Sequence, residues 1–475
     1  MEISRTAALS VFTASTLILT SFVVYGYKTE PTSPHRAHLH RMQALKASFK
    51  DVTSPSTAAP FVYHVTSYGA DPTGIQDSTE AILKAVSDAL GGTGNGLLTD
   101  GIVNLGGARV DLDGGNYLIS RPIRFPVSRK GNFVIHGGSL TAANDFPDNG
   151  YLIDLSSDSP DHNSGYNYEF VTLRDLLLDS NSRGGGIQIS NSLRTSIDNC
   201  YVTRFNTTGI AAIGGHETYI RNSYLGQIPT AGGDHREREF SGTAIALHGN
   251  DNAVTDVVIF SAAIGILVTG QANAISGVHC YNKATGFGGM GIFLKTPGLT
   301  QTRIVNSYFD FTGIVAEDPV QLSVTNSFFL GDAHVLFKSV KGIVNGVNVV
   351  DNMFSGSGKN VDIVQLDETG GSFARVDQVV VDRNNVNGMR LRSTVARGGV
   401  QGNGNSSSWA VDFSSVLVFP NLIRQVQYSF ISSDGSFPAH VLRNVSENRV
   451  VIQAETAVEA SVYVTVDQGA GFSSS

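Results

Sequence analysis

The chain has 475 residues, of which 52 are glycine, 16% are charged and 41% are hydrophobic. This composition excludes a disordered protein and a highly charged nucleic-acid-binding protein. The net charge of -8 repels polyanions at long range, so nucleic acid is not an expected partner. Any anionic ligand must instead be held by locally placed arginine or lysine.

The N-terminus predicts a secretory segment. A lone Arg5 precedes an uncharged apolar stretch over residues 7–25, which is typical of a signal peptide or of an uncleaved anchor. We therefore assign residues 1–27 as signal peptide or anchor and expect a secreted, extracellular protein. Membrane association is expected only if this segment stays uncleaved. Residues 28–60 are rich in His, Lys, Ser and Pro and predict a flexible leader.

Residues 77–90 predict a helix. Asp77 and Glu80 have the spacing of a capping box, and apolar residues recur at intervals of three and four from Ala81 to Leu90. Gly91 and Gly92 end the pattern. A helix at this point would cover the open backbone edge of a solenoid.

A short pattern recurs between residues 170 and 390, in which an aliphatic residue is followed by any residue and then by a small or polar one. Eight units occur at spacings of 20 to 34 residues, beginning at Leu173, Ile197, Ile220, Val254, Ile275, Ile304, Val324 and Val350. A second strand with period-two alternation follows each of several units, as in Gly186-Ile187-Gln188-Ile189 and Gly291-Ile292-Phe293-Leu294. Variable loops between fixed strands are typical of solenoid rungs.

These patterns predict an all-β protein, with a right-handed parallel β-helix over residues 61–400 and an N-terminal capping helix. A β-sandwich would show more Asn-Gly and Asp-Gly hairpin turns than this region contains. Residues 401–475 have longer strand patterns and a turn at Asp434-Gly435, and they predict antiparallel strands packed on the last rungs.

The rung pattern also places individual side chains. Cys200 and Cys280 lie three rungs apart, roughly 14 Å at the spacing of parallel strands, so we expect two free, buried thiols. Tyr224, Tyr281 and Tyr308 follow the rung aliphatics by four or six residues. We expect them to stack in the core, the alternative being a sugar platform outside it.

The segment Val65-Thr66-Ser67-Tyr68-Gly69-Ala70-Asp71-Pro72-Thr73-Gly74, followed by Asp77-Ser78-Thr79-Glu80, resembles the N-terminal signature of plant polygalacturonases and other pectate-lyase-like proteins, including phage tailspikes. The resemblance covers about residues 62–400. Within this group the chain is similar to polygalacturonases of the QUARTET type, which separate pollen tetrads. The resemblance implies a monomeric, cofactor-free hydrolase of glycoside hydrolase family 28 that acts on pectic polysaccharide.

The resemblance does not extend to that family's acidic motifs. Thr208 stands in Asn206-Thr207-Thr208-Gly209-Ile210 where the family has Asp, Thr243 and Ala244 stand where it has paired Asp, and Ser261-Ala262-Ala263 replaces Gly-His-Gly. Leu294-Lys295-Thr296 keeps the lysine of the last motif. Inverting hydrolysis needs one carboxylic acid and one carboxylate, so both must come from other positions.

An inserted loop over residues 232–240 supplies candidates for these roles. We predict Asp234, Glu237 and Glu239 as catalytic carboxylates and His235 as a further proton carrier, with Arg236 and Arg238 binding uronate. A solvated charged loop is the alternative. Lys295, Lys283 and Arg303 are further predicted to bind substrate, and no metal site is expected. Other candidates for the groove are Asp179, His248, Asp251, His279, Asp310, Glu317 and Asp318.

The sequons at Asn405 and Asn444 predict glycosylation, whereas Asn206 should be unmodified because it belongs to the expected groove. The leading hypothesis is inverting hydrolysis of α-1,4-galacturonan in the cell wall, in the breakdown of pollen mother cell walls. A pectate or rhamnogalacturonan lyase is one alternative, and a polysaccharide-binding β-helix without activity is another.

Overall fold

Short parallel strands dominate the computed structural model, which describes residues 61–94, 96–156, 165–228, 240–281, 287–402 and 404–469. The predicted signal peptide or anchor and the flexible leader lie outside these residues. The chain enters through eight strands: β1 (Val62–His64), β2 (Thr73–Asp77), β3 (Val103–Asp111), β4 (Asn116–Ile119), β5 (Ile123–Arg124), β6 (Lys130–Ala142), β7 (Tyr151–Leu155) and β8 (Tyr168–Asp179). Short 3₁₀ turns cover Val65–Tyr68 and Thr99–Gly101. Within the described part of the chain, no helix is both long and apolar enough to span a membrane.

Each following coil contains three short strands, one that belongs to a first sheet and two that belong to a second sheet. The strands are β9 (Gly185–Ser190), β10 (Ser196–Asp198), β11 (Tyr201–Thr203), β12 (Thr208–Ile213), β13 (Tyr219–Arg221), β14 (Tyr224–Gly226), β15 (Thr243–Leu247), β16 (Ala253–Thr255), β17 (Val258–Phe260), β18 (Ile264–Val268), β19 (Ala274–Ser276), β20 (His279–Tyr281), β21 (Met290–Leu294), β22 (Arg303–Val305), β23 (Tyr308–Asp310), β24 (Ile314–Glu317), β25 (Ser323–Thr325), β26 (Phe328–Leu330), β27 (Val335–Lys338), β28 (Ile343–Val350), β29 (Met353–Ser355), β30 (Val364–Asp367), β31 (Arg375–Asp382) and β32 (Asn385–Asn387).

Two large parallel sheets result from this winding. Sheet B has ten strands in the order β5-β7-β9-β12-β15-β18-β21-β24-β27-β30, and the remaining strands up to β32 form the 22-stranded sheet A. Each strand pairs with its counterpart one rung before and one rung after, as Ile210 does with Ile187 and Ile245. The predicted right-handed parallel β-helix is confirmed.

A left-handed corner joins the two sheet A strands of a rung. The third position of the repeated pattern has positive φ at Asp175, Asn199, Asn222, Asp256, Gly277, Asn306 and Asn326. In the unit that begins at Val350, the corner lies one position earlier, at Asp351. Side chains other than Asn, Asp and Gly seldom adopt this conformation. The small or polar residue of the sequence repeat is therefore a backbone requirement of the corner.

Inward side chains form one continuous core along the coil. Phe309, Phe329 and Phe354 stack on successive rungs, with ring centroids 4.8 and 4.4 Å apart. The expectation that the tyrosines stack in the core is wrong, because Tyr224 is 49% exposed and Tyr308 is only partly buried on the outer face of sheet A. The corner changes the inside-outside alternation, so the residue four positions after an inward aliphatic points outward.

Helix α1 (Thr79–Leu90) caps the first rungs, as predicted, and buries Ile82, Ala85, Val86, Ala89 and Leu90. The predicted capping box is absent, because the N-cap residue Ser78 makes no side-chain capping bond. Asp77 instead accepts hydrogen bonds from the Thr79 amide and from Ser120. Glu80 pairs with Arg121 across the surface.

The C-terminal strands are antiparallel, and the first of them begins before residue 401. The strands are β33 (Val395–Val400), β34 (Ser406–Asp412), β35 (Gln425–Ser432), β36 (His440–Ser446), β37 (Arg449–Val458) and β38 (Ala460–Asp467). They form two three-stranded sheets, β33-β38-β35 and β34-β37-β36, around a separate small core that contains Trp409.

The two cysteines are free and buried, as the rung count predicts. Cys280 lies in a strand and pairs with Ile259 on the preceding rung. Cys200 lies three rungs before Cys280, directly after the corner residue Asn199. Burial raises the pKa of both thiols to about 12, so neither is a reactive nucleophile at neutral pH.

The sequence signature near residue 70 has a structural role. The Asp71 carboxylate accepts hydrogen bonds from the Thr73 hydroxyl at 2.7 Å and from the amides of Thr73, Ile75 and Gln76. The Thr73 hydroxyl is the largest of the causes that lower the pKa of Asp71 to about 2. Asp71 thus organises the turn that leads from β1 to the capping helix.

We predict that Asp71→Asn lowers the melting temperature at pH 7. A carboxylate whose pKa is lower in the folded state stabilises the fold above its ordinary pKa, and this contribution disappears as the pH falls through about 2. The melting curves of the wild type and the variant should therefore converge between about pH 4 and pH 2. Asp145→Asn, at an exposed aspartate of the same end, is the control and should leave the pH dependence unchanged.

Candidate active site

The outer face of sheet B has an apolar floor. Its central outward positions alternate with core residues and align from rung to rung at Ala211, Ala246, Leu267, Phe293, Val315 and Leu336. Gln188 and Gln365 continue this row at its two ends. The floor is therefore a long, flat strip that runs parallel to the helix axis. An extended polymer could lie along it.

A row of polar side chains, which we call the charged row, borders this floor where the strands of sheet B end. Its members are His248, Thr269, Lys295, Glu317, Lys338 and Asp367. Glu317 pairs with Lys338 and Lys338 pairs with Asp367 on successive rungs. Leu294 pairs with Ala316, and Lys295 and Glu317 are the residues that follow them in the chain. Lys295 therefore stands beside Glu317.

Charges of opposite sign alternate along the second half of this row. Glu317 is 7% exposed, and its Oε1 accepts a hydrogen bond from Lys338 Nζ at 3.1 Å. Lys295 is exposed, and none of the described acidic groups lies within 4.0 Å of its ammonium. Lys295 is therefore available to bind the carboxylate of a ligand.

Asp367 is held in its ionised form. The Thr369 hydroxyl and amide donate to its Oδ1 at 2.7 and 3.0 Å, and these bonds, with the charge of Lys338, lower the pKa of Asp367. Glu317 and Asp367 stand two rungs apart on the same row, a backbone separation of about 9.6 Å.

His248 begins the row one sheet B strand before Thr269. Its Nδ1 lies 2.7 Å from the Thr269 hydroxyl, and partial burial lowers its pKa. His248 is therefore mainly neutral near pH 7 and can accept or donate a proton through its ring nitrogens.

The other border of the floor lies where the strands of sheet B begin. Thr208 and Thr243 pair side by side there, followed by Ile264 and Met290. No carboxylate stands at these four described positions.

In the sequence, the inserted loop directly precedes β15. Its predicted catalytic residues Asp234, His235, Glu237 and Glu239, and the predicted uronate-binding Arg236 and Arg238, lie outside the described residues. Lys283 also lies outside them. These assignments remain predictions.

The remaining candidates are distributed over other surfaces. Arg303 lies in β22 of sheet A, so the structure does not bring it together with Lys295. Asp251 lies at a corner, with positive φ, and His279 lies in sheet A strand β20. Asp310 pairs with Tyr281 at the end of β23, also in sheet A.

Two buried or half-buried aspartates have structural roles. Asp318 is fully buried and accepts hydrogen bonds from the amides of Val340, Lys341 and Ile343. Asp179 is bound by the guanidinium of Arg204 and accepts a bond from the Asn181 amide. Their acceptor groups are thus occupied within the protein.

Lys338 and Asp367 are the ionisable members of the charged row that the sequence analysis missed. A signal for them is present, since each sheet B strand from β21 onward is closed by a charged residue, in Leu294-Lys295, Ala316-Glu317, Phe337-Lys338 and Leu366-Asp367. The sequence interval between these pairs varies with loop length, which conceals their alignment.

One group of metal-ligating side chains occurs among the described residues, formed by His64, Asp111 and Asp113. His64 and Asp111 pair across β1 and β3 of sheet A. The His64 ring nitrogen lies 2.6 Å from Asp113, which raises the pKa of this histidine. The group does not border the sheet B floor.

Comparison with known proteins gives three results. Residues 62–288 match the family model described as rhamnogalacturonase A/epimerase, pectate lyase-like. Polygalacturonase QRT3 of Arabidopsis thaliana is 59% identical over 484 residues, which cover 99% of this chain and all of that protein. The solved structure of ORF18 of Geobacillus virus E2 has a TM-score of 0.53 at 11% identity, covers 90% of this chain and 80% of its own, and shows likeness of fold alone.

We predict that Lys338→Met lowers the free energy of unfolding by about 2 kcal/mol, because it leaves the buried Glu317 carboxylate without its partner. Replacing Glu317 by Gln in the same chain should restore most of this loss, since an amide carries no uncompensated charge. Lys359→Met removes an exposed lysine and is the control. The free energies of unfolding are measured with urea. Equal values for Lys338→Met and Lys359→Met would contradict a stabilising ion pair between Lys338 and the buried Glu317.

Proposed function

Because the chain belongs to the polygalacturonase family that includes QRT3, we propose that it hydrolyses α-1,4-galacturonan on the outer face of sheet B. The alternating row Lys295, Glu317, Lys338 and Asp367 beside the apolar floor is the observation that carries this proposal. Galacturonan has one carboxylate on each sugar and an apolar face on each ring, and this surface offers a partner to both.

The two lysines suit the binding of consecutive parts of the polymer. Lys295 and Lys338 are separated by two rungs, about 9.6 Å, and each rung advances by about the length of one sugar unit. Their ammonium groups can contact two uronate carboxylates as point charges. Phe293 lies on the floor one rung from Leu267 and can support a sugar ring by its flat side.

Glu317 and Asp367 supply the proton transfers in this proposal. Asp367, ionised through its bonds with Thr369, takes a proton from the attacking water, whose oxygen forms the new bond to C1 of the sugar. Glu317 gives its proton to the O4 oxygen of the departing sugar as the C1–O4 bond breaks. A substrate carboxylate that binds Lys338 removes that cation from Glu317 and leaves the Glu317 side chain free to contact the sugar.

The assay is the release of reducing ends from polygalacturonate by the purified protein. Glu317→Gln and Asp367→Asn should each lower kcat at least 100-fold, since general acid and base catalysis contributes about 10²–10⁴. Lys295→Gln should raise KM about tenfold with a smaller change in kcat, because it removes a ground-state contact to the substrate. Glu459→Gln, on the C-terminal sheet, is the matched control and should have wild-type kinetics.

Parallel variants decide between the charged row and the inserted loop. If Asp234→Asn, Glu237→Gln or Glu239→Gln abolishes turnover while Glu317→Gln and Asp367→Asn retain it, the proposed assignment of acid and base is wrong. Products that absorb as unsaturated uronides would identify a lyase reaction. Binding of polygalacturonate without either product would identify a binding protein.

We also propose that the protein acts outside the cell, in the breakdown of the pollen mother cell wall. The apolar N-terminal segment and the sequons support this location, and Asn405 and Asn444 are exposed on the C-terminal strands and the segment before them. Its expected partner is pectic polysaccharide, and it is expected to act as a monomer without a cofactor.

Glycopeptide mass spectrometry of the secreted protein should find sugar at Asn405 and Asn444. Asn206 should be unmodified, because it lies two residues before β12 at the border of the floor, where a glycan would obstruct an extended substrate. A glycan at Asn206 in an active preparation would refute the proposed position of the groove.

A further inference from the structure

A second concave surface lies on the outer face of sheet A, at the first rungs of the coil. It is a groove of about 560 Å³, which we call the arginine groove, and its lining includes four arginines and two exposed aromatic residues: Arg109, Arg174, Arg194, Arg221, Phe170 and Tyr219. It belongs to a different sheet from the charged row, and nothing in the proposed hydrolysis uses it.

The strand register aligns these side chains along the helix axis. Arg109 pairs with Val134, and the same row continues through Thr172 and Ser196 to Tyr219. These four steps between rungs span about 19 Å. Arg174 and Arg221 follow Thr172 and Tyr219 by two residues, and so they lie on a parallel row beside it.

Two of the four guanidinium groups are available to a ligand. Arg194 lies between Glu169 and Glu217 at 2.5 and 3.0 Å, and Arg221 lies 3.1 Å from Asp198. Arg174 has an acidic neighbour only at 3.8 Å, and Arg109 has none among the described residues. Guanidinium groups bind carboxylates in a bidentate manner, so Arg109 and Arg174 are suited to uronate groups.

Phe170 is a bulky residue at a left-handed corner that the fold repeats on the following rungs. Its φ is +54°, and its side chain is 53% exposed. The same corner on the next three rungs is formed by Arg194, Glu217 and Asp251, which are polar. A bulky residue in the left-handed region is strained, and at this corner its aromatic ring is left exposed on the groove.

Tyr219 provides a second exposed ring on the groove, two rungs further along the coil, with 41% of its surface accessible. Aromatic rings at this separation can contact the apolar faces of two sugars in one chain. The arginines lie beside them, on the side from which carboxylates would project.

We propose that the arginine groove is a second polysaccharide site, which binds about four sugar units of unesterified galacturonan, one for each step of about 4.8 Å between rungs. Bound there, the polymer keeps the protein on its substrate while the sheet B face acts on another part of the chain. The choice of galacturonan as ligand rests on the proposed function. Methyl-esterified pectin lacks the charges that Arg109 and Arg174 would bind, so it is excluded from this groove.

The test measures binding of polygalacturonate to the full-length protein with Glu317→Gln and Asp367→Asn, which prevent degradation of the ligand. Adding Arg109→Gln and Arg174→Gln together should raise Kd at least tenfold and reduce its dependence on salt. Arg443→Gln, an exposed arginine of the C-terminal sheet, is the control and should leave Kd unchanged. An unchanged Kd in the double arginine variant, at an unchanged melting temperature, would overturn the proposal.

The variant Phe170→Asn tests whether the Phe170 ring contacts the ligand or only stabilises the fold. Asparagine adopts the left-handed conformation readily, so the melting temperature should be equal or higher, whereas Kd should rise several-fold. A lower melting temperature with an unchanged Kd would assign Phe170 to the fold and count against the groove.

Two further ligands test whether the groove recognises uronate carboxylates. Dextran sulfate and highly methyl-esterified pectin should each bind independently of Arg109 and Arg174, and arginine-dependent binding of either at the affinity of polygalacturonate would overturn uronate recognition. Arginine-dependent binding of polygalacturonate by a protein that hydrolyses no pectic substrate would refute the proposed hydrolysis and leave the groove supported. Hydrolysis of polygalacturonate without arginine-dependent binding would support the proposed hydrolysis and refute the groove.

Discussion

The described rungs of this protein turn through left-handed corners, and the parallel hydrogen bonds on either side of each corner hold a rung in register with the next. The corner residues, such as Asn222, Asn306 and Asn326, repeat at the same place in each coil. Because a corner fixes where the following strand begins, it also fixes which side chain points inward. The core, the outer rows and the candidate sites all depend on this alignment.

Alignment of rungs converts distant sequence positions into linear arrays. Phe309, Phe329 and Phe354 form such an array inside the core. On the outside, Lys295, Glu317, Lys338 and Asp367 form another on sheet B. A polymer whose units repeat at about the rung spacing can contact one residue of each rung, which explains why a solenoid suits a polysaccharide.

The protein carries a net charge of -8 and yet concentrates cations on two outer faces. On sheet B the lysines alternate with carboxylates. On sheet A, Arg109 and Arg174 lie beside exposed rings and have little internal competition for their charge. The two surfaces thus offer different chemistry to one polyanion, and the proposals assign reaction to one face and retention to the other.

The sequence by itself determined the β-helix, the capping helix over residues 79–90 and the free state of Cys200 and Cys280, because corner residues, alternation and helical spacing are local patterns. It also led to Lys295 through a short motif. It misplaced Tyr224 and Tyr308, since the corner changes the alternation, and it missed Lys338 and Asp367. Only the tertiary structure decided that Lys295 stands beside Glu317 and that Arg109 shares a groove with Arg221. Loops of unequal length separate the rungs, so the register that unites these residues arises from strand pairing and not from spacing in the chain.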